Sequence, residues 1–183
     1  MKNYVGKKIN TVIFISGAGS NMKNLIKFSN EKKSPISVKL VISSNKNAKG
    51  LIYASHKKIE NYFFNFKNFK NTEKKILRIL NKKKIKLICL AGFMRILSPN
   101  FIKHFKGIIL NIHPSLLPKY KGLDTHKRAL ENREKFSGCT VHFVNSKLDS
   151  GKIILQKKIK ISKNETETSL AKKILIQEHK LYP

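Results

Sequence analysis

The 183-residue chain has no tryptophan, only 2 cysteines and no long apolar run. Cys89 and Cys139 lie inside short apolar stretches without a CxxC pair or a histidine-rich neighbourhood, so neither a disulfide framework nor a zinc site is indicated. No stretch approaches a membrane span, and the basic residues near the start are not followed by a signal-peptide pattern. We therefore expect a cytoplasmic protein with reduced, buried thiols.

Acidic side chains are also scarce: 10 stand against 39 lysines and arginines, and the formal net charge is +29. Such a charge suggests a polyanionic partner such as nucleic acid. The lysines, however, are spread over the whole chain and accompany many Asn, Ile and Phe residues, a mixture expected from an AT-rich genome. We interpret the charge as compositional, expect no nucleic-acid or membrane partner, and allow that it steers anionic substrates.

The length predicts one domain over residues 1–183, with a single core. Short apolar runs alternate with longer segments of helical period, which is typical of βαβ units. We predict an α/β, Rossmann-like fold, with a mostly parallel central sheet flanked by helices on both faces. Strands are predicted at 11–15, 37–42, 61–64, 86–90, 108–112, 139–144 and 153–160, and helices at 20–29, 47–57, 71–83, 98–104, 125–132 and 167–181.

A glycine-rich segment, residues 16–21 (SGAGSN), joins the first predicted strand to the first predicted helix. Backbone N–H groups at such a helix start can bind a phosphate. The segment is neither the full GxGxxG fingerprint nor a Walker lysine loop. A tight turn with Ser20 or Asn21 as the helix N-cap therefore stays open as the alternative.

An asparagine and a histidine, Asn111 and His113, stand two residues apart at the end of the apolar run 108–112. In an extended chain their side chains leave the same face of the strand. Pro114 and Pro118 cannot extend a strand ladder, so the pair lies at a strand's carboxyl end, where open α/β sheets bind ligands. We expect the chemistry here.

A carboxylate, Asp149, stands ahead of Gly151 in a predicted loop. Placed beside His113, it would favour the cationic form of the imidazole near neutral pH. Aspartate in a Ser-Gly turn is more often only a turn former, so this pairing needs independent support. His142 alternates with apolar neighbours and could face outward or pack near the site.

Residues 91–99 follow the strand predicted at 86–90. Here Met94, Ile96 and Leu97 could line an apolar slot for a planar ring system. Periodicity alone would place the same residues in the core.

Five segments together resemble phosphoribosylglycinamide formyltransferase, the folate-dependent family of purine synthesis: 16–21, 90–97, 111–118, 138–151 and 177–179. The resemblance implies the formyltransferase fold and transfer of a formyl group from 10-formyltetrahydrofolate to the amine of glycinamide ribonucleotide, on the way to IMP. It also implies small-molecule substrates, no metal, and a monomer or homodimer.

The resemblance further implies a role for each matching residue. Asn111, His113 and Asp149 would be catalytic, with Asn111 and protonated His113 stabilising charge on the formyl oxygen and Asp149 keeping His113 charged and oriented. Gly19, Ser20 and Asn21 would hold the substrate phosphate, and Glu178 would lie near its ribose or glycinamide end. The folate site would comprise Met94, Arg95, Ile96, Leu97, Asn111, Val144, Asn145 and Asp149.

Three features depart from the family pattern. Asp124 stands where relatives carry histidine, and Leu175 replaces a glutamine expected to contact substrate. The chain stops at Pro183, whereas the last helix and strand of typical relatives follow the Tyr-Pro pair, so we expect a shorter C-terminal end.

Other functions remain as alternatives. The catalytic domain of methionyl-tRNA formyltransferase shares the Asn-x-His and Asp residues, although it is joined to a further C-terminal domain. Formyltetrahydrofolate deformylase uses water as acceptor and is expected to carry an N-terminal regulatory domain. A basic nucleic-acid-binding module without catalysis would bind RNA or DNA with a steep salt dependence.

Overall fold

A computed structural model describes residues 6–183, which form seven strands and six helices. The strands are β1 (Ile9–Ile15), β2 (Ile36–Ser43), β3 (Glu60–Phe63), β4 (Leu87–Leu90), β5 (Ile108–His113), β6 (Phe136–Phe143) and β7 (Ile153–Lys160). The helices are α1 (Ser20–Ser29), α2 (Lys49–His56), α3 (Phe69–Lys82), α4 (Pro99–His104), α5 (Thr125–Glu131) and α6 (Glu167–Leu181). The sheet is mostly parallel, and the predicted α/β fold class is confirmed.

The predicted and observed bounds coincide for α1, β7 and α6, and elsewhere differ by at most a few residues. The largest difference is at β6, which begins at Phe136 rather than at 139. The observed strand includes Gly138, a residue type that weakens a strand pattern in the sequence but is required at this position. A Cβ atom there would lie 2.0 Å from the carbonyl oxygen of Lys157 on β7.

The chain separates into two compact units, Met1–Leu110 and Asn111–Pro183. In the first unit the strands lie in the order β3-β2-β1-β4, and every pairing is parallel. Its core is apolar, and β1 supplies the fully buried Val12, Ile13 and Phe14. The prediction of a single domain stays a prediction.

In the second unit β6 pairs with β7 in antiparallel fashion, and α6 packs against β6. The helix begins with a capping box, in which Thr166 and Ser169 each accept the other's backbone N–H. Its apolar face buries Leu170 and Ile174. Within residues 6–183, no helix combines the length and apolar character needed to cross a membrane.

The loop that follows β5 is fastened to β6 by Thr140, whose side chain is fully buried. Its hydroxyl donates to the carbonyl of Ser115 at 2.6 Å and accepts from the backbone N–H of Leu117 at 3.1 Å. The side-chain amide of Gln156 also donates to it, at 2.9 Å. One hydroxyl therefore satisfies two buried backbone groups of this loop and also accepts from a side chain of β7.

Replacing Thr140 by valine should lower the free energy of unfolding by about 2 kcal/mol, because the buried N–H of Leu117 loses its acceptor while the side-chain volume is kept. Thr140→Ser retains the hydroxyl and should cost less. Urea denaturation of the three proteins measures the difference. Equal stability of the valine variant and the wild type would contradict this account of the loop.

Candidate active site

The predicted pair Asn111 and His113 closes β5, and the strand ends at His113 because Pro114 has no N–H to continue the ladder. Asn111 is half-buried and His113 is buried. Both residues belong to the second unit, which also carries Asp149 and His142.

The imidazole of His113 has a partner at each nitrogen. Its Nε2 lies 2.9 Å from the carbonyl oxygen of Tyr120. A carbonyl oxygen only accepts hydrogen bonds, so Nε2 carries a hydrogen. Its Nδ1 lies 3.4 Å from Oδ2 of Asp149. The structure therefore brings the predicted carboxylate beside this imidazole.

Asp149 has a left-handed backbone, with φ 43°, a conformation that aspartate tolerates better than most residues. Its Oδ2 accepts the backbone N–H of Gly122 at 2.9 Å, and its Oδ1 lies 3.6 Å from Nε2 of His142. The carboxylate therefore lies between the imidazoles of His113 and His142 and is held from a third side by backbone. Its side chain is 9% exposed, so water screens these interactions little.

His142 lies next to Asn111, on β6. Its Nδ1 is 2.8 Å from the carbonyl oxygen of Phe143, and its Nε2 is 3.2 Å from Nδ2 of Asn111. Burial lowers the pKa of His142, which outweighs the opposing effects of the Phe143 carbonyl and Asp149. The imidazole is therefore neutral at neutral pH. Asn111, His142, Asp149 and His113 form one connected polar cluster.

The sequence did not identify the backbone partners of this cluster, the carbonyl of Tyr120 and the N–H of Gly122. Both groups lie in the loop between β5 and α5, where Tyr120 and Gly122 have left-handed backbones with φ of 56° and 77°. The glycine was the one available signal, because glycine adopts this conformation readily.

The glycine-rich segment lies in the first unit, at the start of α1. The N-cap residue is Gly19, with φ 71°, and no side-chain cap hydrogen bond is made. The alternative that Ser20 or Asn21 is the N-cap is therefore wrong, because the turn needs a left-handed cap that glycine supplies. The cap residue offers no side chain to the first-turn N–H groups, as a phosphate site requires.

Ser16 connects this segment to the one predicted to hold the pterin. Its N–H donates to the carbonyl of Gly92 at 3.0 Å, and its hydroxyl accepts from the N–H of Met94 at 2.8 Å. Met94 and Ile96 are 64% and 65% exposed, whereas Leu97 is 4% exposed. Two of the three apolar candidates thus present free apolar surface, and Leu97 contributes to the core.

The remaining predicted residues are placed as follows. Glu178 is buried on α6, beside the half-buried Leu175. Arg95, Asn145 and Asp124 are exposed, and Val144 is half-buried. Burial raises the pKa of the Cys139 thiol to about 12, so this cysteine is protonated and is not a nucleophile at neutral pH.

A formyl transferase family model matches residues 9–183. Phosphoribosylglycinamide formyltransferase of Escherichia coli is 39% identical over 178 residues, which cover 96% of this chain and 84% of that protein. The human trifunctional purine biosynthetic protein adenosine-3 is 40% identical over 180 residues. That match covers 97% of this chain but only 18% of the length of the human protein.

Solved structures agree with these relatives. Phosphoribosylglycinamide formyltransferase from Brucella melitensis matches with a TM-score of 0.91 and 43% identity, over 97% of this chain and 93% of that one. The enzyme from Anaplasma phagocytophilum matches with a TM-score of 0.91 and 38% identity, over 97% and 84%. The resemblance seen in the sequence is confirmed: this chain belongs to the formyl transferase family, among the phosphoribosylglycinamide formyltransferases.

Proposed function

We propose that the protein transfers a formyl group from 10-formyltetrahydrofolate to the amine of 5-phosphoribosylglycinamide, a step of purine synthesis. The observation that carries the proposal is the contact of Asp149 with His113 at 3.4 Å, linked through His142 to the amide of Asn111, in a chain of this family. An amide donor, an imidazole and a carboxylate are groups that can stabilise the charge developed in acyl transfer between two amines.

The reaction forms a bond from the substrate amine to the formyl carbon and breaks the bond from that carbon to N10 of the folate. Negative charge develops on the formyl oxygen between these steps. The amide of Asn111 uses one N–H for His142, and its second N–H has no partner within residues 6–183. We assign that N–H to the formyl oxygen, since a preorganised donor stabilises the developing charge.

His113 supports the same charge as an imidazolium paired with Asp149. Both of its nitrogens already face partners, so a direct hydrogen bond to the formyl oxygen requires one of them to change partner when substrates bind. Catalytic hydrogen bonds commonly tighten only in the substrate complex. The proton lost by the attacking amine then reaches N10 through His113 or an ordered water.

The residues proposed to bind glycinamide ribonucleotide lie in the first unit and on α6. The N–H groups at Gly19, Ser20 and Asn21, together with the hydroxyl of Ser20, would bind the phosphate, and Glu178 would contact the ribose or glycinamide end. The exposed Met94 and Ile96 would cover the pterin. Arg95, Leu97, Val144 and Asn145 complete the proposed folate site. We further propose that residues 1–183 act as one catalytic domain in the cytoplasm, as a monomer or homodimer, without a metal.

The direct test is a formyl-transfer assay with the purified protein and 10-formyltetrahydrofolate. Glycinamide ribonucleotide, water and charged initiator tRNA are offered as separate acceptors. Tetrahydrofolate should form rapidly with the ribonucleotide, and formylated product should appear in equal amount. If the formyl group is transferred preferentially to tRNA, the methionyl-tRNA formyltransferase alternative replaces the proposal. If tetrahydrofolate forms with water as the only acceptor, the deformylase alternative replaces it. An electrophoretic shift with RNA at physiological salt tests the nucleic-acid alternative.

Ser20→Ala should raise KM for glycinamide ribonucleotide about tenfold, because a hydrogen bond to a charged phosphate is lost. KM for 10-formyltetrahydrofolate should not change, since the hydroxyl is assigned to the phosphate alone. Ser20→Thr keeps a hydroxyl and serves as the matched control. Steady-state kinetics with each substrate varied in turn provide the measurement, and an equal rise in both KM values would refute the assignment.

A further inference from the structure

We propose that His142 is a positioning residue: its neutral imidazole accepts a hydrogen bond from Asn111 and so fixes which end of that carboxamide faces the formyl group. This inference rests on the proposed function and adds to it a residue that does not contact the reacting atoms. His142 acts through Asn111 rather than on the substrate.

The tautomer of His142 follows from the backbone. Its Nδ1 lies 2.8 Å from the carbonyl oxygen of Phe143, which can only accept, so Nδ1 carries the hydrogen. In a neutral imidazole Nε2 is then a bare acceptor. This nitrogen is the one that faces Asn111, at 3.2 Å from Nδ2.

A bare acceptor distinguishes the two ends of a carboxamide. The oxygen and nitrogen of Asn111 have nearly the same shape but opposite hydrogen-bonding roles. Only the NH2 end can donate to Nε2 of His142, because the oxygen would meet its lone pair. The contact therefore selects one of two rotamers and leaves the second N–H of the same nitrogen for an oxyanion.

The imidazole is held where it can make this selection. The register of β6 against β7 shifts between Val141 and His142, and such bulges re-aim side chains near active sites. The side chain of His142 is 2% exposed, so it cannot swing into solvent. The backbone of Gly151 lies directly against the Phe143 carbonyl, since a Cβ atom at that position would lie 1.7 Å from the oxygen.

The titratable groups that face His142 are Asp149, whose Oδ1 is 3.6 Å from Nε2, and His113 on β5. Asp149 favours protonation of His142 and His113 opposes it, while burial keeps its pKa below the usual value. Protonation at acidic pH converts Nε2 from acceptor to donor. The Asn111 amide must then turn its oxygen toward His142. Acidic pH should therefore weaken the preference for the orientation in which the NH2 group of Asn111 faces the formyl oxygen.

The test compares His142→Phe with His142→Gln. Phenylalanine keeps the ring volume but has no acceptor, whereas the glutamine oxygen can reach the former position of Nε2 and accept from Asn111. We expect His142→Phe to lower kcat about 10- to 100-fold, as a misdirected catalytic group does. KM for both substrates should stay within about twofold. His142→Gln should recover most of the lost kcat and should lose less activity than the wild type as the pH falls below 6.5.

A second measurement does not depend on activity. Nitrogen NMR of the wild type should show His142 protonated at Nδ1 alone near neutral pH. Wild-type kcat in His142→Phe, with unchanged thermal unfolding, would overturn the inference, and so would a hydrogen on Nε2. If the wild type transfers no formyl group to glycinamide ribonucleotide but shows the Nδ1 tautomer, the proposed function fails while the contact is supported.

Discussion

Replacing Asp149 by asparagine should lower kcat for formyl transfer by about 10²- to 10³-fold, the usual loss when charge stabilisation at an oxyanion is removed. Asparagine has the same shape, and its oxygen can still accept the N–H of Gly122, which lies 2.9 Å from Oδ2. What it lacks is the negative charge 3.4 Å from Nδ1 of His113, on which the proposed mechanism relies. The fold should therefore survive while the ring loses its charged partner.

Asp124→Asn is the matched control for this change. Asp124 also has a left-handed backbone, with φ 56°, but its side chain is exposed and makes no cap hydrogen bond. Its replacement should leave kcat close to that of the wild type. Steady-state kinetics of both variants are measured, and thermal unfolding confirms that both are folded. The comparison separates the effect of losing the charge beside His113 from the effect of replacing any aspartate with a left-handed backbone. Full activity in Asp149→Asn would eliminate the proposed role.

His113→Ala should cost a similar factor, and the double variant with Asp149→Asn should be little worse than either alone. Residues that act as a unit lose their joint contribution once either is removed. Additive losses in the double variant would mean that the two residues act separately. The same preparations and the same assay provide this comparison.

Much of this cluster was predictable because strand periodicity and proline are strong local signals. The two-residue spacing of Asn111 and His113 places them on one strand face, and Pro114 ends the strand. The bounds of α1 were equally predictable, from the helical pattern that follows the glycine-rich segment. In each case the information lies within a few neighbouring residues.

What could not be predicted depends on backbone groups brought together by loops. The hydrogen bonds of His113 with the Tyr120 carbonyl, and of Asp149 with the Gly122 N–H, join residues 7 and 27 positions apart. No side-chain pattern records which carbonyl a loop will present. For His142 the long-range contact is with Asn111 on the neighbouring strand, 31 positions away, and the sequence does not record it.

The exposed or buried state of single apolar residues was also beyond the sequence. Met94, Ile96 and Leu97 are alike in hydrophobicity, yet only Leu97 is buried. The segment lies between β4 and α4 without regular secondary structure, so no period assigns its faces. Ser16 fixes its path through the N–H of Met94, a contact 78 residues apart in the chain.

Gly151→Ala should lower the free energy of unfolding by about 3 kcal/mol, at the upper end of the usual cost of overpacking. A methyl group at this position would lie 1.7 Å from the carbonyl oxygen of Phe143 and 2.6 Å from its carbon. Relief requires the end of β6 to move away from the start of β7, and with it the hydrogen bond from the Phe143 N–H to the carbonyl of Lys152, now 3.0 Å.

The same movement should lower kcat, because the Phe143 carbonyl holds His142 and the loop ending at Gly151 carries Asp149. Gly17→Ala is the control for stability, since a methyl group there meets no atom within 4 Å and the residue has no left-handed backbone. Urea denaturation should show a large loss for Gly151→Ala and little change for Gly17→Ala. If Gly151→Ala keeps wild-type stability and kcat, then Gly151 is a turn former only. The cluster would then not depend on the close approach of these two backbone segments.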